Sequence, residues 1–217
     1  MNNNYHKVLS VRELTESTFV LGIERKNMVF EPGQHILLGK AEDIHHREYS
    51  IYSGVDDEML EVLVKEVDDG LVSKKLKKLA PGDEVEIQGP LGFFTIDEEF
   101  LSNNNPFLFI ASGTGISPFH SMVRSIKGLN YTVLHGVRYN EETYEKKDYD
   151  AERYISCISR DEIGNFHGRV TDYIRQHTFD PKTHCYLCGN FEMIRDAMDL
   201  LEAKGIPQDH LHAEVYF

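Results

Sequence analysis

Apolar residues come in short sets over residues 5–96, each set ended by a Gly or Pro turn. Val8, Val11 and Leu14, then Phe19, Leu21 and Ile23, read as strands. Glu31-Pro32-Gly33 turns the chain into a strand over residues 35–38. Residues 59–67 are β-branched and aliphatic, as strands prefer. Residues 71–79 depart from this pattern. Val72, Leu76 and Leu79 recur at helical spacing, with Lys74, Lys75, Lys77 and Lys78 on the other side. Pro81-Gly82-Asp83 leads into a strand over 84–88, and Gly89-Pro90-Leu91-Gly92 turns again. Short strands at this spacing predict an antiparallel β-barrel or sandwich.

The grammar changes after the polar stretch 97–105. Residues 107–111 are continuously apolar, as in a strand buried on both faces. A Gly loop and a helix over 119–126 follow, with Ser117 placed to cap it and Pro118 at its first position. Strands are expected at 131–137, 154–158, 185–188 and 211–216, and helices at 170–177 and 191–204. Alternating strand and helix predicts parallel βαβ units in a doubly wound sheet. The last helix is best defined: Asn190 can cap it, Ile194, Ala197, Met198 and Leu201 form its apolar stripe, and Gly205 ends it. The expected division is a β domain over 1–98 and an α/β domain over 99–217.

Length allows this, since 217 residues hold two small domains. No apolar run reaches the ~20 residues that span a bilayer, and Met1-Asn2-Asn3-Asn4 is not an apolar leader. A soluble, cytoplasmic, monomeric chain is expected, with no membrane partner. A formal net charge of -13 argues against general nucleic-acid binding. The lysines at 74, 75, 77 and 78 form a local basic island. They read either as a solvated helix face or as a docking patch that steers an acidic partner. Three cysteines are too few for a disulfide framework. Cys185-Tyr186-Leu187-Cys188 has C-x-x-C spacing, but residues three apart on a strand face opposite ways, and no second pair completes a metal site. No metal is expected.

Chemistry concentrates in a few segments. Arg47-Glu48-Tyr49-Ser50-Ile51-Tyr52-Ser53 follows the 35–38 strand. Strand alternation would turn Arg47, Tyr49, Ile51 and Ser53 one way, and Ser50 and Tyr52 the other. A flavin dinucleotide needs an aromatic platform, small hydroxyls and a cation for its pyrophosphate. Tyr49, Ser50, Ser53 and Arg47 supply these types. Gly113-Thr114-Gly115-Ile116-Ser117-Pro118 lies between a buried strand and a helix, where bare N–H groups and a helix N-terminus favour a phosphate. Arg138, Arg160 and Arg169 follow strands, and ligands of open α/β sheets bind beyond the strands' carboxyl ends. Charge-assisted bonds there could select a 2′-phosphate, hence NADP over NAD. The chain ends Glu214-Val215-Tyr216-Phe217, two aromatics where polar residues usually fray, which calls for a docking site.

Arg47-x-Tyr49-Ser50-x-x-Ser53 resembles the flavin motif of the ferredoxin/flavodoxin–NADP(H) reductase family, and the other segments follow in that family's order over about the whole chain. The resemblance implies FAD and NADP(H) as cofactors, with Tyr49 and the terminal aromatic on either side of the flavin and Ser50 near its reactive nitrogen. Leu63, Val64 and Lys65, with Gly70, Leu71, Val72 and Ser73, match its second flavin segment, Gly70 to Ser73 opening a helix onto the FAD pyrophosphate. Thr114 and Gly115 match its nicotinamide-nucleotide loop. Ser159 with Arg160, and Gly168 with Arg169, look like its NADP-selective pattern, with Arg138 a further candidate. Cys188, Gly189 and Met193 match its C-G-x-x-x-M segment, which puts Cys188 near the nicotinamide. Tyr216 matches the plant-type terminal tyrosine, Phe217 extends one residue further, and Glu214 would lie near the reacting centre as a proton relay. The implied activity is hydride transfer between NADP(H) and FAD, then single-electron transfer to ferredoxin or flavodoxin. The alternatives are a free-flavin or ferric reductase and an electron-transfer subunit of a larger enzyme.

Overall fold

A computed structural model describes residues 4–216 and divides them into two compact units. The first holds the described residues up to Thr95 together with Ser117–Ser125. The second holds Ile96–Ile116 and the described residues from Ile126 onward.

The first unit is a six-stranded antiparallel sheet. It comprises β1 (Tyr5–Glu13), β2 (Thr18–Glu24), β3 (His35–Lys40), β4 (Arg47–Ser50), β5 (Met59–Lys65) and β6 (Glu84–Leu91), with helix α1 (Leu71–Lys77) between β5 and β6. The strands lie in the order β4-β3-β6-β1-β2-β5. The two edges meet at a bridge between Ile51 and Val62, and the Tyr52 N–H donates to the Glu61 carbonyl at 2.8 Å. The sheet thus curls on itself around one core. Phe19, Leu21 and Ile23 enter it from β2, Ile36 and Leu38 from β3, and Val62 and Val64 from β5. Val72 and Leu76 of α1 close one end, as their helical spacing requires.

The second unit begins with α2 (Glu98–Ser102) and β7 (Phe107–Ser112), followed by a 3-10 turn over Gly113–Ile116. Helix α3 (Ser117–Ser125) then packs on the first unit. The chain continues through β8 (Tyr131–Val137), β9 (Tyr154–Ile158), β10 (Phe166–His167), α4 (Val170–Gln176), β11 (His184–Gly189), α5 (Phe191–Ala203) and β12 (Leu211–Val215). All strand pairs of this unit are parallel, in the order β10-β9-β8-β7-β11-β12. The chain moves outward from β7 to β10, then returns to the other side of β7 as β11. The topological switch point therefore lies between β7 and β11, where ligands of such sheets bind. Residues 107–111 of β7 are apolar because both its faces are covered.

Two expectations need correction. The helix after the Gly loop starts at Ser117 rather than 119, because the 3-10 turn runs straight into it. No extended residue is left to cap, and Ser117 is buried as the first helical residue. A boundary at 98/99 would also assign this helix to the second domain, yet α3 is tied to the first. The His120 Nδ1–H donates to the Tyr52 carbonyl at 2.7 Å, the Ser121 hydroxyl to the Ser53 carbonyl at 2.7 Å, and Arg124 grips Asp57 with two bonds of 3.1 and 2.7 Å. These partners are 67 or 68 positions apart, beyond the reach of local pattern.

Candidate functional site

In the first unit the Arg47–Ser50 segment forms β4, the edge strand paired with β3. Arg47 is exposed; its guanidinium donates to the His46 carbonyl at 3.0 Å and, among the described residues, makes no ion pair with a carboxylate. Tyr49 is half-buried against the core, and burial pushes its phenol up to about 12, opposed by the Arg47 charge. The expected alternation stops at Ser50: Ser50, Ile51, Tyr52 and Ser53 are all buried. The chain leaves the ladder there to bridge to β5, so it no longer presents alternate faces. The Ser53 hydroxyl is turned inward and accepts from the Glu61 N–H at 3.0 Å. Tyr52 stacks on His120 with ring centres 3.8 Å apart, and the Val55 N–H donates to the Ser125 hydroxyl at 3.0 Å. Helix α3 thus pins the turn that follows Tyr49 and Ser50. His120, Ser121 and Arg124 gave no sequence signal of this role.

Leu63 and Val64 lie buried on β5, and Lys65 is half-buried at its end. Gly70 precedes α1 with extended backbone; Leu71 is exposed, and Val72 and Ser73 are buried. The Ser73 hydroxyl accepts from the Val67 N–H at 3.4 Å. The lysines of α1 are unequal. Lys75 is bonded to Asp43, Lys77 pairs with Glu66 at 2.7 Å, and Lys74 donates to the Asp68 carbonyl. The Lys75 ammonium is the main reason the Asp43 carboxyl is held well below the carboxylate range. Lys78 is exposed and, among the described residues, makes no carboxylate ion pair, acting on Glu66 only through its charge.

In the second unit the switch point is tightly built. A methyl placed on Gly115 would lie 2.3 Å from the Cys188 carbonyl oxygen, and one on Gly189 (φ +129) would lie 2.3 Å from Ser112 Oγ. Only glycine lets the turn after β7 and the end of β11 approach this closely. Thr114 is half-buried in that turn. The Ser112 hydroxyl, which sequence reasoning missed, accepts from the Asn190 N–H at 2.9 Å. Asn190 caps α5 as expected, its Oδ1 accepting from the N–H groups of Glu192 and Met193 at 3.0 and 3.2 Å. Cys188 sits opposite Glu214 in the β11–β12 register, and the Tyr216 N–H donates to the Gly189 carbonyl at 2.9 Å. Burial pushes the Cys188 thiol well up, the Glu214 charge adds to this, and a hydrogen bond with Tyr216 partly offsets it. Cys188 is therefore a neutral thiol, not a thiolate nucleophile. Cys185 is also buried and free, so the C-x-x-C spacing forms no disulfide. Phe217 lies outside the described residues.

Arg138 directly follows β8, Ser159 and Arg160 follow β9, and Arg169 lies just past β10. These are the carboxyl ends of three adjacent parallel strands. In the same unit Arg153, Arg175 and Arg195 each pair with an aspartate. Arg138, Arg160 and Arg169 are exposed and, among the described residues, pair with no carboxylate. In a chain with 36 acidic residues, three uncommitted guanidiniums on one sheet edge suit a multiply charged anion. A glycine turn at a switch point and these arginines fit a nucleotide bearing a 2′-phosphate. Arg47 beside half-buried Tyr49 fits a flavin dinucleotide.

Residues 6–96 match the oxidoreductase FAD-binding domain model, and residues 109–199 the oxidoreductase NAD-binding domain model. The chain belongs to the ferredoxin–NADP(H) reductase family. As a member it is a flavoprotein oxidoreductase that binds FAD and NADP(H) and moves electrons between them. It is 30% identical over 226 residues to the toluate 1,2-dioxygenase electron transfer component of Pseudomonas putida, a match covering 96% of this chain and 66% of that one. It is 29% identical to ferredoxin–NADP reductase B of Sorangium cellulosum, with 97% and 96% covered. Its fold matches a Neisseria gonorrhoeae ferredoxin NADP+ reductase solved with FAD and NADP, at a TM-score of 0.84, 22% identity and 98% coverage of both chains. No helix among the described residues is long and apolar enough to cross a membrane.

Proposed function

We propose that this family member is an NADPH-preferring reductase that delivers electrons from FAD to a small acidic carrier protein of the ferredoxin or flavodoxin type. The observation that carries the nucleotide preference is the set of three carboxylate-free arginines, Arg138, Arg160 and Arg169, at the carboxyl ends of β8, β9 and β10. Ser159 adds a hydroxyl beside Arg160. Thr114 and Gly115 take the pyrophosphate, and Gly189 and Met193 line the nicotinamide end beside Cys188. In the first unit Arg47 takes the FAD pyrophosphate with the Gly70, Leu71, Val72 and Ser73 segment. Tyr49, Ser50 and Ser53 hold the flavin, with Leu63, Val64 and Lys65 behind. Bound FAD supplies the chemistry, accepting a hydride as a pair and releasing electrons singly. Glu214 stores or relays a proton, and Tyr216 guards the site. The protein's own part is orientation and charge.

The carrier is favoured by relatives named ferredoxin– and flavodoxin/ferredoxin–NADP reductases in Sorangium cellulosum and Escherichia coli, and by the exposed Lys74 and Lys78. Buried, unpaired cysteines accord with a reducing cytoplasm. A second reading is a reductase component serving an oxygenase, favoured by the likeness to the toluate dioxygenase component. One experiment tests the core of the proposal. The purified protein should be yellow, and anaerobic NADPH should bleach it far faster than NADH. A colourless protein that takes up no FAD would overturn it. Preference for an oxygenase over ferredoxin and flavodoxin as electron acceptor would select the second reading.

A further inference from the structure

We infer that His135 is a positioning residue for the pyrophosphate-binding turn, held in one tautomer by Tyr154 so that it fixes the Gly113–Thr114 peptide plane. This inference rests on the nucleotide reading of that turn. His135 is fully buried in the middle of β8, directly opposite Ala111 of β7 in the sheet register. A histidine among Val133, Leu134 and Val137 needs a reason, because burying an imidazole without partners is costly.

Both ring nitrogens are used. Nε2 lies 2.8 Å from the Gly113 carbonyl oxygen, and Nδ1 lies 2.5 Å from the Tyr154 hydroxyl. A carbonyl can only accept, so Nε2 carries the proton. A neutral ring then has Nδ1 bare, and the Tyr154 O–H must donate to it. The tautomer is therefore dictated by its surroundings. Tyr144 packs at a tilt against the same ring, and the Glu142 charge acts on it. Burial lowers the imidazole's pKa to about 4, which keeps the ring neutral at working pH.

The consequence falls on the turn. The Gly113–Thr114 peptide is trans, since the one cis bond is Gly89–Pro90. In a planar trans peptide the carbonyl and the next N–H point opposite ways. Anchoring the Gly113 oxygen on His135 therefore aims the Thr114 N–H away from the sheet interior. Gly113 itself has φ +54, and a Cβ placed on it would meet nothing within 4 Å. The strut from β8 supplies that restraint. A preorganised N–H costs less to order when an anion arrives.

The FAD-loaded protein and its His135→Phe, His135→Gln and Tyr154→Phe variants can be titrated calorimetrically with two fragments. Adenosine 2′,5′-bisphosphate carries a 5′-phosphate in place of the pyrophosphate; adenosine 2′-monophosphate lacks it. His135→Phe should weaken the bisphosphate about tenfold, the loss of roughly one buried hydrogen bond, and leave the monophosphate within about twofold. His135→Gln, which can still donate to Gly113, should recover most of the affinity, and Tyr154→Phe should fall between. Equal weakening of both fragments, no weakening, or a Gln variant no better than Phe would overturn the inference. If His135→Phe does not fold, Tyr154→Phe carries the same two-fragment comparison. If the unaltered protein binds neither fragment, the nucleotide reading fails first and this one with it. If Arg160→Ala removes binding of both fragments while His135 variants change nothing, His135 alone is refuted.

Discussion

The backbone N–H of Arg160 donates to the carbonyl of Arg138 at 2.9 Å. This bond extends the β8–β9 ladder past its last residues and fixes two guanidinium-bearing residues side by side. The spacing is set by the sheet, so it does not depend on either side chain. Charge-assisted bonds from Arg contribute roughly 1.5–3 kcal/mol each. Arg160→Ala should raise KM for NADPH about 10- to 100-fold and change KM for NADH by less than threefold. Steady-state kinetics with both nucleotides checks this. Arg160→Lys should recover only part, because Lys lacks the planar fork. Equal losses for both nucleotides would contradict a 2′-phosphate role.

The sequence was most readable where chemistry and period coincide. The 3.6-residue stripe of α5 and the Asn190 cap were visible in it, as was the change from antiparallel to parallel strands. Arg138, Arg160 and Arg169 could be placed after strands from pattern alone. What pattern could not supply was pairing across long separations. Ser121 on Ser53, Arg124 on Asp57 and Ser112 on Asn190 join segments 67 to 78 positions apart. Alternation misread residues 51–53, because it assumes a continuing ladder and the chain there leaves β4 to bridge toward β5. The lysine island looked uniform because sequence does not reveal that Asp43 and Glu66 lie beside two of its members.

Gly115 is a steric requirement rather than a flexible joint. A methyl there meets the Cys188 carbonyl at 2.3 Å, and neither the turn nor β11 can yield without shifting backbone. Overpacking of this kind costs about 1–3 kcal/mol. Gly115→Ala should lower Tm by roughly 2–12 °C for a chain of this size. It should also raise KM for NADPH more than it lowers kcat. Thermal melts and initial rates test the two effects separately. An alanine variant with unchanged melting and unchanged KM would show that the turn and β11 are not held together as described.

The α1 lysines should divide by their partners. Lys77 is pinned to Glu66 at 2.7 Å in a solvent-screened pair. Lys78 is exposed and, among the described residues, makes no carboxylate ion pair, so its charge can steer an acidic protein. Lys78→Glu should cut kcat/KM for ferredoxin or flavodoxin about threefold to tenfold at low salt. The difference should fade near 0.5 M salt, where the Debye length is only a few Å. Rates with ferricyanide, a small-molecule acceptor, should not fall. Lys77→Glu should lose less of the carrier rate than Lys78→Glu. An identical rate with the carrier at all salt concentrations would remove α1 from the docking surface.

His135 also makes a prediction about acid. Its folded pKa is lowered to about 4 from an ordinary 6.5, so the unfolded chain binds its proton first as pH falls. The stability contributed by the neutral ring is complete above pH 6.5. It is lost progressively between 6.5 and 4, and no further below that. The full loss is about 3 kcal/mol, since each pKa unit is worth 1.36 kcal/mol. Buried His184 and half-buried His212, whose pKa values burial also lowers, act in the same direction. Asp43 and Glu66, held low chiefly by Lys75 and Lys77, titrate below the usual carboxylate range and act later. The comparison of interest is therefore between the unaltered protein and His135→Phe. The variant should start less stable at pH 7.5 yet lose less stability on acidification to pH 4.5. Urea unfolding at a series of pH values gives both curves. Parallel curves would mean that His135 titrates alike in the folded and unfolded protein, and a ring held neutral between Gly113 and Tyr154 would be wrong.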